Sequence, residues 1–156
     1  MIKPLWLANN FIMWGQENGV GISPLKMQKL MYLFYARHLH LWDAVPFSQC
    51  FEKWPKGPVL RDVYDALKIF GGSDIPGTLT DLRGKVISFS WDDTEFNRAF
   101  CDTAARFGKL TASDLIQITH EGLPGKPIAT AWEKTPAIGA FLNPRDAQED
   151  GRVLFG

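Results

Sequence analysis

The sequence predicts a mostly α protein, a single compact helical domain with at most a small β element. Three observations point there. Apolar residues recur at i, i+3 and i+4 spacing in several separate stretches, the signature of helices with one buried face. Those stretches are bounded by N-cap residues, by prolines at first-turn positions and by terminal glycines. With 46% hydrophobic and 13% aromatic residues in 156, the chain has enough apolar surface to bury one sizeable core.

The first helix is expected over residues 4–17, with Leu5, Ala8, Phe11 and Ile12 as its stripe and Gly19 and Gly21 past its end. Ser23 is a good N-cap for the second, because its hydroxyl can accept a bond from a first-turn N–H. Pro24 suits position N1, where a missing N–H costs nothing. That helix is predicted to run to about Trp42, with Met27, Leu30, Met31, Phe34, His38 and Leu41 on its inner face. Lys26, Lys29 and Arg37 are expected mainly on its solvated face. Phe51 to Trp54 reads as a short extended piece, and the Gly57-Pro58 turn is expected to launch a third helix from Pro58 to Phe70. Gly71-Gly72 stops it. Residues 73–84 carry several turn residues and read as a loop, and residues 85–91 alternate weakly enough for one strand. Asp92 or Asp93 is expected to cap a helix ending at Phe107. Thr111 caps the next, to His120, with Asp114 as a capping-box partner. A helix over 128–134 and a last one starting at Asn143-Pro144 complete the reading.

Two segments are far more specific together than anything else in the chain. They are Ile22-Ser-Pro-Leu-Lys-Met-Gln-Lys-Leu-Met-Tyr32 and Phe51-Glu-Lys-Trp-Pro-Lys-Gly-Pro-Val59, the latter continuing to Val63-Tyr64. The pair resembles the Panacea domain, the SocA-like or GepA-like domain of bacteria and phages. Its pattern is close to I-T/S-x-L-K-L-Q-K-L-L-Y, then F-E-A-W-x-x-G-P-V-x-x-x-V-Y. Ile118-Thr119-His120 is similar to a third family element. The resemblance is clearest over residues 20–70, extends to 108–132, and leaves 73–84 as a variable loop. It departs where the family's Pro-Trp is replaced by Pro124-Gly-Lys-Pro127, with Trp132 later. It implies an antitoxin that binds a cognate toxin protein, in a bacterial or prophage toxin–antitoxin pair. Delivery of that toxin to a protease is the alternative within the class. Lys26, Gln28, Lys29, Glu52, Trp54, Lys56 and Arg61 read either as a solvated face or as a polar recognition patch for the partner; the resemblance adds Gly57, Pro58, Thr119 and His120 to the expected partner-binding residues. Trp54 fits an interface anchor or a core residue equally. His120 fits a helix-end charge better than a contact.

Other functions find little support. Seventeen basic residues balance seventeen acidic ones, so general attraction to nucleic acid is weak, and near-zero net charge favours association, with homo-oligomers included. His38 and His40 point apart on a helix, and His120-Glu121 is followed by proline where a zinc motif needs histidine. No metal, cofactor or catalytic residue is expected, and no nucleophile elbow or phosphate loop occurs. Asp92-Asp93 and Glu149-Asp150 read as helix-end carboxylates. Cys50 and Cys101 sit beside phenylalanines and read as buried, inert thiols. Two unpaired cysteines and no apolar run near ~20 residues suggest a cytoplasmic protein without a membrane span. Residues 111–134 mimic a helix-turn-helix, the basis of a DNA-binding repressor as a third reading. The second helix, however, offers one lysine and no arginine to read bases.

Overall fold

The computed structural model describes residues 1–88 and 94–156. Its helices are α1 (Pro4–Asn18), α2 (Pro24–Trp42), α3 (Arg61–Leu67), α4 (Thr94–Phe107), α5 (Ala112–Glu121), α6 (Ala131–Lys134) and α7 (Pro144–Phe155). Two antiparallel hairpins interrupt them, β1 (Glu52–Trp54) with β2 (Gly57–Val59), and β3 (Gly122–Leu123) with β4 (Lys126–Pro127). The protein is mostly α. The predicted caps at Ser23, Thr111 and Asn143 hold. The Lys26 N–H donates to Ser23 Oγ at 3.2 Å. Thr111 and Asp114 form a reciprocal capping box. Asn143 accepts from the Arg145 N–H at 2.8 Å, with Pro144 in the first turn of α7.

Helix α2 is the axis of the molecule, packed against α4, α5 and α7. It is buried on nearly every side, so a one-faced amphipathic pattern does not describe it. Met27, Leu30, Met31, Leu33 and Phe34 all have no exposed surface. The same core takes in Phe11 of α1, Phe100 and Phe107 of α4, Leu115 of α5 and Leu154 of α7. Close approach of α7 depends on Gly151, where a Cβ would lie 2.0 Å from the Ala36 carbonyl oxygen. The loop after α3 is tied down by buried Asn9. Its amide donates to the Leu79 and Ile87 carbonyls at 2.7 Å each, and its Oδ1 accepts from the Leu79 N–H.

Several expectations are corrected. The third helix starts at Arg61, three residues later than expected, and ends in a 3-10 turn over Lys68–Phe70. Pro58 lies in β2, opposite Lys53. The reason is buried Gln28, whose amide takes both the carbonyl and the N–H of Leu60, at 3.1 and 2.9 Å, and so holds that backbone extended. The helix expected over 128–134 is shortened to 131–134, because the Ile128 N–H is bonded to the Glu121 carbonyl and prolongs the second hairpin. Glu149-Asp150 lies within α7, away from either end. Cys50 and Cys101 are exposed, not buried. Of the strand expected over 85–91, the described part bears one bridge, Val86 to Thr80. The expected cap at Asp92 or Asp93 lies outside the described residues.

Candidate functional site

Most of the predicted site residues gather around the first hairpin, at different depths, while Lys26 lies near Asp74. Lys29 is completely buried and Lys26 is 6% exposed. The solvated basic face expected of these two is therefore absent: β2 and α5 close over Lys29, and Lys26 lies near Asp74. Lys29 Nζ donates to the Pro58 carbonyl at 2.7 Å. Burial pushes its pKa down to about 7. Burial also lowers that of Lys26, with Asp74 opposing.

Gly57 is the reason Lys29 fits. Its φ of +112° favours glycine. A Cβ there would meet Lys29 Cε at 2.8 Å, Lys29 Nζ at 3.0 Å and Thr119 Oγ1 at 3.0 Å. The Lys, Gly and Thr of three separate motif blocks thus meet at one point. Thr119, fully buried, donates to the Ile116 carbonyl. Next to it, the His120 ring stacks on Trp132 with centroids 3.7 Å apart and planes at 15°. Burial first and the Lys29 charge second hold His120 below its ordinary pKa. Trp132 donates its indole N–H to the Trp54 carbonyl at 2.7 Å, and Lys53 Nζ lies 4.2 Å from its ring centroid. Trp132, which sequence reasoning placed outside the site, therefore joins the α5 end to the hairpin. Its late position relative to the motif hid it.

The outer side of the hairpin carries the charges. Arg61 makes a two-pronged pair with Glu52, at 3.1 and 3.0 Å, and its guanidinium carbon lies 5.1 Å from the Trp54 ring centroid. Trp54 Nε1 approaches Glu52 Oε1 at 3.3 Å, and its ring meets Tyr64 edge-on at 4.7 Å. Trp54 is half-buried, while Lys56, Arg61 and Tyr64 are exposed. Between this wall, the start of α2 and the end of α3 lies a groove of about 490 Å³. Tyr64 and Lys68 reach it together. Their i, i+4 spacing, from α3 into the 3-10 turn that follows it, was the available sequence signal.

A second polar cluster braces the site from behind. Asp150 accepts from the Tyr32 hydroxyl at 2.5 Å and from the Ala131 N–H at 3.1 Å. Burial raises its pKa to about 6 against the pull of those bonds. Thr130 donates to the His120 carbonyl and accepts from the Glu133 N–H. Together they seat α6, and with it Trp132. Among the described residues no group of three or more His, Cys, Asp or Glu lies together as a metal site needs, and no helix is long and apolar enough to cross a membrane. Residues 27–124 match the family model described as antitoxin SocA-like, Panacea domain. No curated protein and no solved structure matches the chain.

Proposed function

The chain belongs to the SocA-like antitoxin family, the family of the Panacea domain, and we propose that it neutralises a toxin protein by binding it directly through the face formed by the β1–β2 hairpin and α3. One observation carries this reading. The residues of the family resemblance divide into a buried set and a displayed set around one turn. Gln28, Lys29, Gly57, Pro58 and Thr119 are buried and fix the backbone. Trp54, Lys56 and Arg61 stand on the outside of the backbone so fixed. A core alone needs neither a buried ammonium nor an exposed arginine stacked on tryptophan. A preorganised aromatic and arginine surface is what strong protein contacts use.

The repressor reading finds less support. α5 and α6 are separated by the β3–β4 hairpin, and α6 has four residues, too short to present successive base-reading side chains in a major groove. The experiment is co-expression of this chain with the product of an adjacent toxic reading frame. Neutralisation should restore growth, and the two proteins should co-purify at a fixed ratio. A neighbour that is harmless, or toxic and unaffected by this chain, overturns the reading.

A further inference from the structure

We propose that the groove beside the hairpin seats an apolar segment of the toxin that carries one or more carboxylates, the apolar side chains entering the groove and the carboxylates meeting Lys56 and Lys68. The identity of the occupant as a toxin rests on the antitoxin reading above; its chemistry rests on the groove. The walls are chiefly apolar and aromatic, from Leu25, Trp54, Pro55, Val59, Tyr64 and Leu67. A volume of about 490 Å³ lies within the range of ligand-binding clefts. It suits the inserted side chains of a helix or turn rather than a whole domain.

The charge of the lining selects the partner. Lys56 and Lys68 line the groove, and among the described residues no acidic one does. Lys56 has no carboxylate within 4.0 Å among the described residues. Lys68 reaches Asp65 at 3.3 Å, but both side chains are more than half exposed, and such pairs exchange readily with a better acceptor. Glu52 and Arg61, beside the groove, are held by each other. Gln28, which also borders the groove, has its amide committed to Leu60. The chain as a whole has zero net charge, but the lining of this groove is locally positive. A partner segment with acidic groups gains both steering and register there.

Gly72 provides a test that spares the fold. It lines the groove, and a Cβ built there meets nothing within 4 Å. Gly72→Trp should therefore fill the groove from an open position. Phage displaying short random peptides would be selected on the immobilised full chain, with the Gly72→Trp protein as the counter-selection. The double variant Lys56→Glu/Lys68→Glu, altered only at exposed positions, serves independently of whether Gly72→Trp folds. Selected peptides should combine aromatic or aliphatic residues with Asp or Glu, and either variant should weaken them by about tenfold or more. Four results overturn the proposal: peptides that bind Gly72→Trp equally well, basic or uncharged consensus sequences, no enrichment over bare support, or a wild-type dimer in sedimentation that Gly72→Trp dissociates. The last makes a second copy the occupant. Peptide selection does not depend on toxicity, so failure of growth rescue alongside a clear acidic consensus would remove the antitoxin reading and leave the groove's chemistry standing.

Discussion

Lys29 is held in the core by a carbonyl rather than a carboxylate, and this gives it a measurable signature. Its pKa falls from 10.5 in the unfolded chain to about 7 in the folded one, because burial penalises the ammonium. The folded state therefore binds fewer protons between those values. The stability this residue contributes is complete above about pH 10 and is lost as pH falls through about 7. Within that window the slope approaches about 1.4 kcal/mol per pH unit. Urea melts of wild type and Lys29→Met across the window should diverge, with wild type gaining on the variant as pH rises. Parallel curves would show that Lys29 titrates normally. Asp150 has the opposite sign. Burial raises its pKa from 3.8 to about 6, so its contribution is complete below about pH 4 and lost as pH rises through about 6. Asp150→Asn should flatten that part of the profile relative to wild type. Neither residue could be placed from sequence. A helical wheel puts Lys29 off the Leu30 and Phe34 stripe and assumes that water lies there, but β2 does. Asp150 reads as a surface carboxylate until α7 is packed on α2.

At the scale of elements, the helices and their caps were legible because the signals are local. Ser23, Thr111 and Asn143 each act on N–H groups two or three residues away. Thr111→Ala should accordingly cost about 1 kcal/mol in a thermal or urea melt. The first hairpin was not legible as a hairpin. Proline fits the first turn of a helix and an edge strand alike, and the choice at Pro58 is made by Gln28 and Lys29, some thirty positions away. The hairpin's dependence on Gly57 separates this account from a generic turn. Gly57→Ala meets both a left-handed φ and three nearby atoms, and should lower stability by at least ~2 kcal/mol. Gly72→Ala, in open space, should stay within about 0.5 kcal/mol of wild type. Equal melting of the two variants would mean that Lys29 and Thr119 do not crowd the turn.

At the scale of the whole molecule, the buried motif residues serve the displayed ones. α2 carries Gln28 and Lys29 to the hairpin, α5 carries Thr119 and His120 behind it, and Asp150 on α7 seats the α6 tryptophan that stacks on His120. The candidate site was legible as a set of residues and not as a surface. Sequence placed the right segments together, while depth separated Lys29 from Lys56; Trp132 entered only through packing, and Tyr64, a motif residue, and Lys68 took their place at the groove once α3 was packed. The account predicts two kinds of variant. Lys29→Glu should unfold the protein, since it buries a carboxylate beside the Pro58 carbonyl. Lys56→Glu should melt like wild type and still weaken neutralisation. The most direct measurement is inhibition of the purified product of the adjacent toxic gene by this purified chain alone, with no protease present. Wild type should inhibit it at a fixed ratio, and Lys56→Glu should require a higher concentration while remaining folded. A toxin left fully active by the wild-type chain in vitro, yet controlled in cells only when a protease is intact, would contradict neutralisation by direct binding.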